Sequence, residues 1–577
     1  MWATPTQDHT RHFKPLETPV PVMSGKRAFL DLLKQEGVGI VFGNPGTTEL
    51  PLMDAFAVET DIRYILGLQE AALMAMADGH AQASGKLTVL NLHVAPGLGN
   101  AMGMLYDAQM AGSPIMVTAG QQDTEYLVQE PILSADLATL AKPFVKFSAQ
   151  VERLNDLPTL VHRAAKTALA PPTGPVFLAL PGDILKNDGD IDLLEPTRVA
   201  PRIRGDIDAV NAAADLLAKA ERPVIIAGDA VAQSRGHKEL AALAEAIGAP
   251  VYTEFVPNTA SFPSSHPLYR GSMTRSQQGV REVLDKHDLL FSVGGDLFTW
   301  SLPSKIKPIP HGMPLIHLDT DPWQIGKSYP AQVGIFGDPK ATLPEITAAT
   351  RERMSSGQRA EARERVHAMS EAAMAERQAL KDKARAMAGK TPVQPLALLE
   401  AIGAMLPKDA VVIEETLSSA PGARSLINSD DEQSFFALRG GGIGWGLPAA
   451  IGAKLALPDR PVVALIGDGS AMYTVQALWT AAHYKLPIVW VIFNNTSYRI
   501  LKQRLVAMRG LAEQADNFVG MELTDPAVDF VGLARSLGIE GQRAKTVKEA
   551  TDLVAQGLKS NTALLIDVDM ERNYKPM

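Results

Sequence analysis

A chain of 577 residues, 46% hydrophobic and 21% charged, is too long for one core and has the composition of ordinary folded protein, so three or four domains are expected. A formal net charge of −9 argues against nucleic acid or an anionic membrane as the main partner, and the absence of cysteine removes disulfides, thiolate nucleophiles and cysteine-ligated metals. No apolar run is long enough to span a bilayer, and the polar stretch from Met1 to Glu17 lacks the apolar centre of a signal peptide, so a cytoplasmic location is expected.

Residues 1–22 read as an extension ahead of the first periodic segment, which begins near Ser24. Residues 23–185 then alternate strand-like runs, Val38–Phe42, Tyr64–Leu68, Thr88–His93 and Ile115–Thr118, with Ala-rich or polar helix-forming stretches. That alternation is the signature of a parallel α/β sheet. Three of its loops should meet at the C-terminal sheet edge, where such sheets bind ligands. They are Gly43-Asn44-Pro45-Gly46-Thr47-Thr48-Glu49, Gln69-Glu70, and the loop from His93 to Asn100. Glu70 closes an apolar strand and precedes the nearly uncharged helix Ala71–Ala77. Such a setting is expected to desolvate its carboxylate, raise its pKa and keep it a proton donor. The plain alternative is a helix-start glutamate favoured by the dipole.

A polar stretch, 186–204, reads as a linker. The second block, 205–348, opens with strand Pro223–Ala227 and its turn Gly228-Asp229, and continues through Leu289–Val293, Gly294-Gly295 and Leu315–Leu318. Neither of the first two blocks carries a full Gly-x-Gly-x-x-Gly opening a helix, which speaks against a nicotinamide dehydrogenase. Residues 349–391, dense in Glu, Arg, Lys, Ala and Met, read as a solvated helical linker.

The last block, 392–577, holds the most specific pattern. An apolar run, Pro461–Ile466, reads as a buried strand and leads into Gly467-Asp468-Gly469-Ser470; Ala471–His483 has the length and composition of a helix. A second apolar run, Pro487–Phe493, ends at Asn494-Asn495. The right-handed crossover of such a unit puts both strand ends at one sheet edge, so Asp468 and Asn495 become neighbours although 27 positions apart. A carboxylate with an amide oxygen suits a hard cation such as Mg²⁺, and the Gly469-Ser470 amides at a helix start form an anion site.

The stretch from Gly467-Asp468-Gly469 to Asn494-Asn495 resembles the cofactor motif of thiamine-diphosphate (ThDP) enzymes. The resemblance implies three doubly wound parallel-sheet α/β domains, a pyrimidine-binding, a middle and a diphosphate-binding one. It implies Mg²⁺ held by the side chains of Asp468 and Asn495 and the backbone carbonyl of Ser497. It further implies cofactor contacts from Gly467, Gly469, Ser470 and Tyr498 on the diphosphate side, and from Asn44 and Glu70 on the pyrimidine side. Glu70 would hydrogen-bond the aminopyrimidine ring nitrogen. Ile443, the only aliphatic residue among the glycines of Gly440–Gly446, would hold the cofactor bent. In this superfamily the two cofactor-binding blocks usually belong to different subunits, so a homo-oligomer is implied, a dimer at least and commonly a tetramer. Some relatives carry FAD or ADP in the middle domain. The turns at Gly228-Asp229 and Gly294-Gly295 are compatible with one, though neither is expected here.

Within that superfamily, residues 24–570 resemble benzoylformate decarboxylase. The likeness rests on Val41–Pro51, on Leu92-His93 with Gly97–Gly103, on Thr118–Gln122 and on Ile466–Tyr484. It implies that Thr47 holds the 2-oxo acid carboxylate and that His93 donates to the developing alkoxide or relays protons. Leu417, Ile500 and Leu501 would line the substrate pocket. Two departures stand out. Ser301 occupies the position of the family's second catalytic histidine, and serine cannot shuttle protons at neutral pH as imidazole can. Lys502 and Arg504 place cations where that family is aromatic and apolar; the plain alternative is a solvent-facing basic stretch, but facing inward, and with Arg439 just before the glycines, they would call for a second anionic group on the substrate. The implied activity is decarboxylation of a benzoylformate-like 2-oxo acid to an aldehyde, with carboligation capacity. The alternative is a carbon–carbon ligase or lyase, acetolactate-synthase-like or 2-hydroxyacyl-CoA lyase-like. A non-catalytic paralogue has no need of Glu70, Asp468 and Asn495 together.

Overall fold

The computed structural model describes residues 21–256, 259–419 and 422–574. Its first sheet comprises β2 (Ile40–Gly43), β3 (Arg63–Leu66), β4 (Thr88–Leu92), β5 (Ile115–Gln121), β6 (Ser148–Gln150) and β7 (Val176–Pro181), in the order β3-β2-β4-β5-β7-β6. A short antiparallel pair, β1 (Val22–Ser24) with β8 (Asp188–Asp190), ties the start of this domain to the chain leaving it, so the stretch read as a linker is partly paired. The middle sheet runs β11-β10-β9-β12-β13-β14, from β9 (Pro223–Ala227), β10 (Val251–Thr253), β11 (Tyr269–Ser272), β12 (Leu289–Val293), β13 (Leu315–Asp319) and β14 (Val333–Phe336). The third runs β16-β15-β17-β18-β20-β19, from β15 (Val411–Glu415), β16 (Phe435–Ala437), β17 (Val462–Gly467), β18 (Val489–Asn494), β19 (Glu540–Ala544) and β20 (Leu564–Asp569).

All three six-stranded sheets are parallel throughout and doubly wound, as the unbroken apolar runs require: helices cover both faces, so strands such as β12 and β4 are buried at every residue. Five helices matter for the site: α1 (Glu70–Ser84), α2 (Val94–Ala111), α3 (Ser356–Arg385), α4 (Gly446–Ala456) and α5 (Arg499–Met508). The expected solvated linker is α3, a 30-residue helix opened by a capping box between Ser355 and Gln358. It is docked rather than free. Ala362 abuts Gly248, Arg365 Nη2 donates to the Ile247 carbonyl at 2.8 Å, and Arg270 pairs with Glu376 at 2.6 Å. Among the described residues no helix is long and apolar enough to cross a membrane. Most of the expected N-terminal extension, residues 1–20, lies outside the described residues.

The first and third sheets share one strand order, and the helix after the second strand of each, α1 and α4, packs against its counterpart. That contact is backbone on backbone. A Cβ on Gly452 would lie 1.9 Å from the Met76 carbonyl oxygen, and one on Gly79 would lie 2.3 Å from that of Ala449. One apolar core therefore runs from Phe42 and Leu90 of the first sheet, through Met76 and Ala449, to Ile466 and Trp490 of the third.

Two expectations are corrected. The apolar strand before Glu70 stops at Leu66, and Glu70 is the first residue of α1, whose cap is Gln69 accepting from the Ala72 amide at 2.9 Å. The helix expected over 471–483 is broken into Asp468–Ala471 and Ala477–His483. Between them the Thr474 hydroxyl donates to the Gly444 carbonyl at 2.6 Å, spending the chain on a contact with the glycine loop instead of a further turn.

Gly452→Val should lower the apparent Tm by many degrees or leave the chain insoluble, because its side chain has no room beside Met76. Gly357→Ala, on the open first turn of α3, should be neutral or raise stability by up to about 1 kcal/mol. Thermal unfolding of the two variants beside the wild type checks both, and equal Tm values would remove the joint from the account.

Candidate active site

In each sheet the chain winds one way from its central strand and then the other, and the switch lies at neighbouring strand ends: β2 with β4 in the first sheet, β15 with β17 in the third. The third-domain edge carries the glycine–aspartate motif. β17 and β18 pair Gly467 with Phe493, which sets Asp468 opposite the Asn494-Asn495 pair. Asp468 is buried, and its carboxylate accepts the amide hydrogens of Gly469 (3.0 Å) and Ser497 (3.3 Å). Burial pushes its pKa up to about 6. Among the described residues it has no basic side chain at ion-pair distance. The asparagines divide the work: Asn494 Nδ2 donates to Asp567 at 2.9 Å, while Asn495 Oδ1 accepts from the Ser497 hydroxyl at 2.8 Å. Gly469 lies under the Tyr498 ring, where a Cβ would come within 2.6 Å of it. A buried carboxylate short of a counter-charge, beside an amide oxygen and main-chain groups, can hold a hard cation. Among the described residues no group of three His, Asp or Glu side chains offers a metal site, so such a cation would draw its other ligands from backbone and phosphate oxygens.

The loop Gly440–Gly446 is held from below by acids. Glu415, wholly buried at the end of β15, accepts from Gly444 N at 2.7 Å and Gly446 N at 2.6 Å, and its burial raises its pKa to about 7. Asp107, near the C-terminus of α2, accepts from Gly442 N at 3.0 Å, while its other oxygen has no partner. Ile443 stands half-buried between these anchors, and Leu417 caps β15 in a left-handed conformation, φ 53°. Sequence reasoning passed over both acids. The signal for Glu415 was an acid closing an apolar strand; for Asp107 it was a lone acid in a helix rich in Ala, Met and Gly.

At the first-domain edge the organising residue is Glu49, a member of the loop read from sequence that was given no role there. It is fully buried and accepts from Gly46 N (2.9 Å) and the Thr48 hydroxyl (2.7 Å), with His93 Nδ1 at 2.8 Å. The imidazole is thereby fixed at the β4 terminus with Nε2 free to act. Gly46 has to be glycine, since a Cβ would fall 2.1 Å from that ring. Thr47 is exposed and lines a cavity of about 410 Å³ with Gln122, Tyr126 and Lys186. Asn44 is half-buried in the same loop. Glu70 is half-buried rather than desolvated within one chain, and Asn100 Nδ2 donates to it at 3.0 Å.

The structure thus gathers Asn44, Thr47, Glu70 and His93 at one edge, and Gly467, Asp468, Gly469, Ser470, Asn495, Ser497 and Tyr498 at the other with Ile443, Leu417 and Ile500. Within one chain Glu70 does not lie beside the glycine loop of the second set. Glu70 sits beside Gly97 at the start of α2, Gly442 beside Asp107 near its end, and ten residues of helix separate them by roughly 15 Å. The cations are also sorted. Lys502 is buried against Glu522 and over the rings of Phe518 and Tyr574, and Arg439 is paired with Asp296 at 2.6 Å and Asp229 at 3.6 Å, so neither is available to a substrate. Arg504 reaches the exposed Ser301, Nη2 to Oγ 3.4 Å, and Leu501 is exposed.

Three family models match the chain: "Thiamine pyrophosphate enzyme, N-terminal TPP binding domain" over residues 23–139, the central domain of the same enzymes over 210–346, and their C-terminal TPP binding domain over 418–568. Benzoylformate decarboxylase of Pseudomonas aeruginosa is 32% identical over 94% of this chain and 98% of its own length. A probable acetolactate synthase large subunit of Methanocaldococcus jannaschii is 29% identical over 95% and 92%. Among solved structures, a thiamine diphosphate-dependent 4-hydroxybenzoylformate decarboxylase of Rhodococcus jostii superposes with a TM-score of 0.83 at 30% identity, covering 96% of this chain and all of that one. Benzoylformate decarboxylase of Polynucleobacter necessarius gives 0.84 at 30%, with the same coverage.

Burial raises the Asp107 pKa from 3.8 to about 8, with Asp78 and Glu415 adding to the rise. A carboxyl whose folded pKa lies above its unfolded value favours the fold below the unfolded pKa and loses that contribution as pH rises through the folded one. Asp107→Asn should therefore flatten the fall in stability between about pH 4 and pH 8 and raise the apparent Tm at pH 8. Thermal unfolding at pH 5, 6.5 and 8 decides it; parallel curves for variant and wild type would show that Asp107 does not titrate in this window.

Proposed function

The chain belongs to the thiamine-diphosphate-dependent enzymes, and on that premise we propose that it decarboxylates a 2-oxo acid of the benzoylformate type, releasing an aldehyde or passing the acyl unit to a second carbonyl. The observation that carries this reading is the presence of two prepared strand-end edges. One offers a buried carboxylate without a counter-cation, Asp468; the other offers an imidazole locked by a buried glutamate, His93 on Glu49. Bound ThDP supplies the nucleophilic carbon and the electron sink that decarboxylation demands. The remaining work falls to the chain. Asp468, Asn495 and the Ser497 carbonyl would hold Mg²⁺, and the Gly469-Ser470 amides would bind the diphosphate. Ile443 props the cofactor from its acid-pinned loop, and Tyr498, Gly467 and Asn44 complete the contacts. Glu70 would hydrogen-bond the aminopyrimidine nitrogen. Thr47 donates its hydroxyl to the substrate carboxylate, and His93 delivers a proton to the reacting carbonyl oxygen.

Within one chain Glu70 and the Gly442 loop lie roughly 15 Å apart along α2, and on that spacing we infer that each site is built from two copies, Glu70 and His93 from one and Asp468 from the other. A dimer is then the smallest active unit, and a tetramer is a pair of such dimers. The ligase reading differs in product rather than in site: Ser301 leaves no second imidazole to protonate the product carbon, which favours transfer to a carbonyl acceptor.

CO₂ release from benzoylformate, pyruvate and a branched aliphatic 2-oxo acid, with ThDP and Mg²⁺ present and aldehydes and hydroxyketones quantified, tests the reading. Free benzaldehyde supports the decarboxylase; CO₂ with hydroxyketone alone supports the ligase; absence of ThDP binding sinks both. Glu70→Gln should keep ThDP bound and lower CO₂ release by about 10²-fold or more. Asp468→Ala should abolish Mg²⁺-dependent ThDP binding. Co-expressed, the two inactive chains should recover roughly a quarter of wild-type activity, because half of randomly paired dimers are mixed and each mixed dimer holds one intact site. No recovery would place the whole site within one chain.

A further inference from the structure

Three of the basic residues near the third-domain edge are already spoken for. Lys502 is neutralised by Glu522 and Arg439 by Asp296 and Asp229, while Arg499 donates to Ser418, Ser419 and the Glu571 carbonyl. Two further guanidiniums lie nearby. Arg504, on the second turn of α5, touches only the Ser301 hydroxyl, and among the described residues it makes no ion pair. Arg275, on the loop leaving β11, has none either. The two meet at one seam. Gln277 Nε2 donates to the Leu302 carbonyl at 3.0 Å, which sets the 275–277 loop beside Ser301 and hence beside Arg504.

The electrostatics of this seam are unfavourable as they stand. Arg275 is exposed at this seam, yet the protein around its side chain lowers its pKa; Glu414 opposes that, and the charge of Arg504 adds to it. Glu414 is the carboxylate whose charge acts on Arg275, and its Oε1 also accepts from the amide (2.7 Å) and hydroxyl (2.6 Å) of Thr416. Two like charges at one seam are stabilised by an anion spanning both.

Position tells which anion. Arg504 lies seven residues beyond Ser497, roughly 10 Å along the chain of α5. Ile500 shares its helix face one turn earlier, and Leu417 caps the adjacent β15. From the Asp468 edge outward the order is therefore polar, apolar, then doubly cationic.

We propose that Arg275 and Arg504 close the far end of the substrate pocket and select a 2-oxo acid bearing a second carboxylate, which they grip across the seam between the middle and third domains while Ile500 and Leu417 flank its apolar body. This rests on the reacting centre lying at the Asp468 edge. It accounts for Ser301 as well, since a hydroxyl that orients Arg504 suits an anion site better than an imidazole competing for the same charge.

The test separates the two claims. ThDP binding, measured first by equilibrium dialysis with Mg²⁺, bears on the cofactor reading alone. Calorimetry then compares terephthalate with 4-methylbenzoate, inert ligands of one shape that differ by one carboxylate, and reads the arginine pair whether or not turnover occurs. The full-length protein should bind terephthalate at least about tenfold more tightly, as a charge-assisted pair in a cleft provides. The same preference should appear in kcat/KM for 4-carboxybenzoylformate over 4-methylbenzoylformate. Arg504→Met and Arg275→Met should each erode both ratios, and the double variant should bring them toward one, with circular dichroism confirming the fold. Equal affinity for the two inert ligands, or a preference that survives in the double variant, overturns the proposal.

Discussion

The contact on which the rest of this molecule depends is the approach of α1 to α4, where Gly79 and Gly452 let one helix backbone rest on the other. Helices that close bury their flanking apolar residues in one core shared by two sheets, and they leave no freedom for either sheet to turn relative to the other. Because the two sheets have the same strand order, each places its topological switch point at the equivalent pair of strands. The same joint brings α2 against the glycine loop, so that Asp107 can hold Gly442, and aligns Trp445 to donate to the buried Asp78 at 2.7 Å.

A second regularity is the use of buried carboxylates to shape loops. Glu49, Glu415, Asp107 and Asp468 each accept backbone amide hydrogens at or beneath a strand end, and none has a lysine or arginine at ion-pair distance among the described residues. An acceptor with two oxygens can pin two amides at once, as Glu415 does, and so fixes a glycine loop that has no side chains of its own to pack. The cost is visible in the raised pKa values of Glu415 and Asp107. Asp468 uses the same device with a different end. Its amide partners orient it, but burial leaves a charge that a bound cation would complete.

Much of the architecture was legible in the residues themselves. Unbroken apolar runs mark parallel strands because both faces are covered, and three sheets follow from three such sets. The Gly467–Ser470 and Asn494-Asn495 pairing was legible because β17 and β18 are neighbours joined by one crossover, whose hand is fixed by chain chirality. Where local reading failed, a long-range contact had intervened: Thr474 turned away from a helix to reach Gly444, and the three C-terminal cations that looked alike in the sequence met quite different partners.

By itself, then, the sequence determined the fold class, the cofactor motif and the residues at each strand end, since those depend on hydrophobic period and on turns of a few residues. Tertiary structure alone decided which charges remain free and which site residues share a cleft. Such properties arise between groups far apart in the chain, Asp107 and Gly442 across 335 positions and Arg504 and Ser301 across 203, and no local pattern records whether a side chain finds its partner there.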